Sequence, residues 1–328
     1  MPAFGHRAGA RVRRSAPAAI RPLATNLTQR VLDAAGLIIL GKGRELRLAL
    51  ACLLARGHLL IEDLPGVGKT TLAHLLARLL GLQYSRIQFT SDLLPADVIG
   101  VSVYEREHER FRFHPGPVFA QLVLADEINR ATPKAQSALL EAMEERQVTV
   151  DGETRALPEP FFVIATQNPS YQIGTFPLPE SQLDRFLMRI RLGYPPAAQE
   201  KVLLAGEDRR IMVEHQAPVL SVGELGALQA SVTQVHAAAS IIDYCLAILQ
   251  FTRRSERFVH GLSPRAGVGL LRAAKAWALL EDRAYVLPED LQAVLPSCCI
   301  HRLVSGDGSG RLDHDEVATL ILSSVPVP

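Results

Sequence analysis

Twelve consecutive residues constrain this chain more than any others: Leu59-Leu60-Ile61-Glu62-Asp63-Leu64-Pro65-Gly66-Val67-Gly68-Lys69-Thr70. An apolar run of strand length stops at Glu62, a short loop with two glycines follows, and a helical pattern continues over Thr70–Leu80. A strand feeding such a loop and then a helix aims backbone N–H groups and the positive helix end at one point, where a phosphate sits. Gly66 and Gly68 let the backbone come close, with Pro65, Val67 and Thr71 completing the loop. Lys69 is expected to face solvent until phosphate arrives and then to reach the β- and γ-phosphates; Thr70 is placed to ligate Mg²⁺. Asp63 stands where the G-x-x-x-x-G-K-[ST] pattern has its first glycine. Asp tolerates unusual backbone angles better than most residues, so the turn can survive.

Two further apolar runs end in polar residues. Leu122–Ala125 ends in Asp126-Glu127. Adjacent buried carboxylates are costly unless a cation or hydrogen bonds hold them. Asp126 is therefore read as part of a Mg²⁺ shell and Glu127 as the group that polarises an attacking water. Phe161–Thr166 ends in Gln167-Asn168-Pro169. Asn168 can donate and accept at once, which suits orienting that water, although an Asn before Pro is often only a turn residue. Arg185, just ahead of the run Phe186–Leu192, and Arg265, at the start of a later helical pattern, offer forks that match phosphate oxygens. On spacing alone either could instead be a surface charge.

The runs His58–Glu62, Leu122–Ala125, Phe161–Thr166 and Phe186–Leu192 read as buried strands of a parallel sheet. Helical patterns between them, among them Pro133–Glu145 with Thr132 as its N-cap, give an α/β fold with right-handed crossovers. Two hairpins interrupt it. One pairs Val101–Tyr104 with Phe111–His114; the other pairs Gln147–Val150 with Thr154–Leu157 around Asp151-Gly152-Glu153. After Tyr194-Pro195-Pro196 the strand patterns stop. Helical periodicity takes over in Ala237–Phe251, Ala266–Leu280 and a helix opened by Leu287-Pro288. Trp277 falls at core spacing. The expected division is a basic tail over 1–25, an α/β core over 26–194 and a smaller all-helical unit over 195–328.

Lys and Arg total 35 against 34 Asp and Glu. So even a balance argues against a dedicated non-specific nucleic-acid binder. Arg7, Arg11, Arg13, Arg14 and Arg21 lie in the tail with no acid among them, and no apolar core follows to make a secretory signal. Cys52, Cys245, Cys298 and Cys299 lack C-x-x-C spacing and read as reduced thiols of a cytoplasmic protein. No apolar run approaches a membrane span.

The ordered set of phosphate loop, acidic strand end, polar strand end and two arginines resembles the AAA+ ATPases, in which these are Walker A, Walker B, sensor 1, arginine finger and sensor 2. More narrowly, Asp126-Glu127-Ile128-Asn129-Arg130-Ala131, Gln136-Ser137-Ala138-Leu139-Leu140-Glu141-Ala142-Met143, Ala165-Thr166-Gln167-Asn168-Pro169 and Leu183-Asp184-Arg185-Phe186 are similar to the MoxR family. The likeness spans about Gln29 to Leu303 and leaves out the tail. It implies ATP and Mg²⁺ as ligands and a hexameric ring with nucleotide at subunit interfaces, where Arg185 acts on the neighbour's nucleotide. It further implies a chaperone-like role, often with a partner carrying a von Willebrand A domain. The two hairpins resemble inserts that face the ring's pore. A nucleic-acid motor and a chelatase-type subunit remain open alternatives.

Overall fold

The computed structural model describes residues 21–168, 176, 178–306 and 314–327. Its strands are β1 (Leu59–Glu62), β2 (Tyr84–Gln88), β3 (Gly100–Glu105), β4 (Arg110–Pro115), β5 (Leu122–Asp126), β6 (Gln147–Val150), β7 (Glu153–Ala156), β8 (Phe162–Gln167) and β9 (Met188–Ile190). Five of them form one sheet in the order β2-β5-β8-β1-β9, with every pairing parallel. The four expected runs supply β1, β5, β8 and β9; the edge strand β2 has no counterpart among them.

Strand periodicity sorts the core into two layers. Leu59, Ile61, Leu122, Leu124, Phe162, Ile164, Met188 and Ile190 face one side and pack with the helices Gly43–Leu54 and Lys69–Leu79. Their alternates Leu60, Val123, Ala125, Val163 and Ala165 face the other and pack against the helix Pro133–Glu145. Both faces of β1, β5 and β8 are buried throughout, which is why their sequences read as continuous apolar runs.

Beyond β9 the described residues form helices, chiefly Val222–Gln234, Ala239–Arg254, Pro264–Leu280, Pro288–Cys299 and His314–Ser324. Leu225, Ile248, Leu270, Ala274, Leu291 and Leu295 from these helices belong to the same buried cluster as the first sheet face. The helical unit is therefore continuous with the α/β core on that side. Trp277 packs on this cluster, with Arg47 over its ring at 5.8 Å. Residues 1–20, which carry most of the expected tail, lie outside the described residues. A helix begins at Arg21 and runs to Gly36, taking in residues assigned above to the tail.

Both hairpins form, with β3 against β4 and β6 against β7. Asp151 and Gly152 have φ of 53° and 79°, the left-handed pair that a two-residue hairpin turn requires. Thr132 is extended and precedes Pro133 at the first helical position, but its hydroxyl makes no cap hydrogen bond. The proline there has no N–H to satisfy, and the helix starts without a side-chain cap.

Candidate functional site

The loop after β1 turns on two glycines. Gly66 and Gly68 have φ of 85° and 92°, a region costly to any residue with a Cβ, and Gly68 precedes the first turn of the helix Lys69–Leu79. Asp63 is not among the left-handed residues, so tolerance of unusual angles is not its role. Its carboxylate instead anchors the loop. Oδ1 accepts from Leu64 N at 2.8 Å, and Oδ2 accepts from Leu192 N and Gly193 N at 2.7 and 2.6 Å. The loop's entrance is thus tied to the chain leaving β9.

Lys69 departs from the expectation of an outward, solvent-facing side chain: it is only 7% exposed. Its Nζ curls back to donate to the carbonyls of Asp63 and Leu64 and, at 3.5 Å, to Asn168 Oδ1. Burial lowers its pKa, while Asp63, Asp126 and Glu127 act in the opposite direction. The loop's own carbonyls hold the ammonium, and phosphate oxygens can take their place as stronger, charged acceptors.

The acids sit at the end of β5. Asp126 is buried and accepts from Thr166 Oγ1 at 2.6 Å, while its second oxygen receives Thr70 Oγ1 at 3.3 Å. A hydroxyl and a carboxylate oxygen converging this way fit Mg²⁺, which takes few protein oxygens and completes its shell with phosphate and water. Among the described residues no group of three or more His, Cys, Asp or Glu could hold a metal. Glu127 adopts φ 56°, ψ 47°, a left-handed conformation unusual for Glu, and its N–H donates to Thr166 Oγ1 at 2.8 Å. The turn aims its carboxylate out of the sheet toward Asn168, whose Nδ2 donates to Glu127 Oε1 at 3.0 Å. Asn168 is buried and held in turn by Asn129, which donates to its carbonyl at 3.0 Å. Its amide therefore bridges Lys69 and Glu127. Pro169 lies outside the described residues.

Arg185 and Arg265 are elsewhere. They line one cavity with Gly57 and His58, the residues immediately before β1, whereas Gly66–Thr70 follow that strand. At about 3.3 Å per strand residue, the two places are roughly 15 Å apart at opposite ends of the sheet. Glu144, near the end of the helix Pro133–Glu145, joins the arginines. Arg265 grips it with both Nη atoms, at 3.1 and 2.6 Å, and Arg185 Nε lies 3.8 Å from it. Arg265 pulls the Glu144 pKa down. Ser263 caps the lid helix by accepting from Ala266 N at 3.0 Å, which fixes the turn bearing Arg265.

Four contributors were not legible in advance. Arg86 on β2 donates to Asp126 Oδ2 at 2.7 Å, and Gln88, two residues on, donates to Glu127 Oε2 at 3.2 Å. Arg130 lies 2.8 Å from the same Glu127 oxygen, and Glu144 couples the two distant arginines. Arg86 and Gln88 share a strand face, and that spacing opposite an acidic strand end was the available signal.

A parallel five-stranded sheet with a phosphate loop after an interior strand, acids at the end of β5 two strands away with β8 and its polar tip between them, and a helical lid defines the AAA+ class of P-loop ATPases. Residues 58–188 match the model of the ATPase family associated with various cellular activities (AAA), and residues 250–320 match the AAA lid domain. The chain is 42% identical over 277 residues to chaperone MoxR1 of Mycobacterium tuberculosis, covering 81% of this chain and 73% of that one. It is 46% identical over 293 residues to protein YeaC of Bacillus subtilis, covering 89% and 92% of the two. A solved Cytophaga hutchinsonii structure, named as a candidate ATPase, superposes with TM-score 0.84 at 34% identity over 94% of this chain and 97% of that one. The chain belongs to the MoxR family of AAA+ ATPases, and so to a nucleotide-binding class. No helix among the described residues is long and apolar enough to cross a membrane.

Proposed function

We propose that the chain binds ATP with Mg²⁺ and hydrolyses it to ADP and phosphate, using the energy to remodel partner proteins. Pro65, Gly66, Val67, Gly68, Lys69, Thr70 and Thr71 hold the phosphates, and Thr70 and Asp126 hold the metal. Mg²⁺ neutralises charge on the phosphate oxygens when bound. Glu127 accepts the proton of the attacking water and Asn168 fixes its orientation. The observation that carries this reading is the Asn168 amide, whose Oδ1 meets Lys69 and whose Nδ2 meets Glu127, linking the phosphate-binding lysine to the base.

Arg185 and Arg265 act on a nucleotide held by a neighbouring copy, in a ring that we take to be hexameric. Their place at the far end of β1 from their own phosphate loop supports this. The family also supports a chaperone-like role, with a von Willebrand A-domain protein as partner. Four buried free cysteines favour a reducing compartment, the cytoplasm.

Glu127→Gln tests the chemistry. It keeps the hydrogen bond from Asn168 but removes the base, so ATP affinity should persist while turnover falls by ~10²–10⁴-fold. A loss below about fivefold in single-turnover hydrolysis removes Glu127 from the role.

A further inference from the structure

The cavity that holds Arg185 and Arg265 contains more cations than its carboxylates neutralise. Its volume is about 450 Å³. Arg185 and Arg265 share Glu144, and Arg302 is paired with Asp184 at 2.6 Å. Arg56, Arg146 and Arg272 line the same cavity, and among the described residues their guanidinium groups have no hydrogen bond or ion pair. Burial above all pushes the Arg272 pKa down, with Arg146 and Arg265 acting the same way and Cys52 and Cys298 opposing them.

The backbone sets this arrangement up. Arg272 lies seven residues beyond Arg265 on the helix Pro264–Leu280, two turns along the same face. Arg146 ends the helix Pro133–Glu145 at φ 52°, and Arg56 turns at φ 53°; both hold a left-handed conformation that favours glycine. Like charges gathered this way are unfavourable until an anion joins them. Guanidinium forks match phosphate oxygens in pairs, and several forks around one cavity suit a chain of phosphates better than a single carboxylate. The chain's own phosphate loop lies beyond reach at the other end of the sheet.

We propose that this cavity is a polyphosphate pocket, in which Arg146 and Arg272 join Arg185 and Arg265 in holding the triphosphate tail of a nucleotide carried by a second copy of the chain. Glu144 occupies Arg265 and Arg185 until that anion displaces it. The proposal rests on the reading that Arg185 faces a neighbour's nucleotide.

Titration calorimetry with inorganic tripolyphosphate tests it, using Lys69→Ala chains so that their own phosphate loop is disabled. Saturable, salt-sensitive binding is expected. Adding Arg272→Gln or Arg146→Gln should weaken it about tenfold or more, and Arg272→Lys should restore part of the loss. Glu144→Gln should tighten it several-fold by freeing the Arg265 fork. Absence of saturable binding at millimolar tripolyphosphate overturns the pocket, as does affinity unaffected by both glutamine variants. Affinity weakened by Glu144→Gln overturns the role given to Glu144. If Arg272→Gln melts early, Arg146→Gln, on an exposed helix end, carries the test. Complementation between Lys69→Ala and Arg185→Ala subunits reports on the neighbour reading separately: tripolyphosphate binding without complementation keeps the pocket and removes the neighbour.

Discussion

Asp63 occupies a glycine position of the phosphate-loop pattern and turns it into an anchor. Its carboxylate accepts three backbone N–H groups, from Leu64, Leu192 and Gly193. Asp63→Ala would leave those donors without an acceptor in a site that is 9% exposed at Asp63, a loss of at least ~2 kcal/mol in urea unfolding. A change under about 0.5 kcal/mol would mean that water replaces the carboxylate. His58, before β1, is buried for a different purpose: Nδ1 accepts from Val163 N at 3.0 Å, and Nε2 lies 3.4 Å from the Met143 carbonyl. Burial above all lowers its pKa from 6.5 to about 4. Between those values the unfolded chain binds the proton and the folded one does not. Stability is thus held above pH about 6.5 and falls as pH drops toward 4, by ~3 kcal/mol in total. Unfolding free energies of the native chain and His58→Gln across that window check this; the variant's curve should be flatter, and equal slopes would remove His58 as the cause.

At the scale of elements, legibility followed burial. β1, β5 and β8 could be read from sequence because both their faces are covered and nothing interrupts their apolarity. β2 could not, since Tyr84, Ser85, Arg86 and Gln88 are partly or largely exposed and two of them serve the acids rather than the core. The polar spacing that hid the strand is the part of it that works at the site. The same limit explains why Asn168 and Arg185 could be placed by motif while Glu144 could not. A Glu near a helix end has no signature until tertiary structure brings Arg265 to it. The β3–β4 hairpin is legible for the opposite reason, its alternation being exposed. Tyr104 and Phe111 pair across the strands with ring centroids 5.3 Å apart, and they are 49% and 73% exposed. Aromatic surface held outward in this way faces solvent rather than the core. Replacing both by Ser should cost ~1 kcal/mol at most and leave ATP affinity unchanged, since no core contact is removed. A larger loss in thermal melting would show that the hairpin supports the fold.

For the whole molecule, the position of β1 decides what one copy can do alone. The phosphate loop leaves one end of that strand, and the cavity with Arg185 and Arg265 lies at the other. The lid cannot carry Arg265 to its own nucleotide by a small adjustment, because lid helices and sheet face share one buried cluster and Arg265 is held to Glu144 of the core. Moving it would expose that cluster, at ~25 cal/mol for each Å² of apolar surface returned to water. On the proposed reading, a neighbour would bring the arginines to the phosphates without such a cost. Hydrolysis should therefore rise with protein concentration, as an arginine supplied in trans stabilises charge that develops in the transition state and is worth ~10³–10⁵-fold. Mixing experiments decide the point. Lys69→Ala subunits cannot grip phosphate but still present Arg185; Arg185→Ala subunits bind ATP but present no finger. Each alone should be nearly inactive. Mixed rings contain some interfaces with an intact loop on one side and an intact Arg185 on the other, so activity should reappear with the mixing ratio and peak near equal amounts. Exchange of subunits, followed by energy transfer between labelled copies, ensures that mixing has occurred. No recovery despite exchange, or full activity in a dilute and demonstrably monomeric sample of the native chain, would place the whole catalytic set within one copy and contradict the separation across β1.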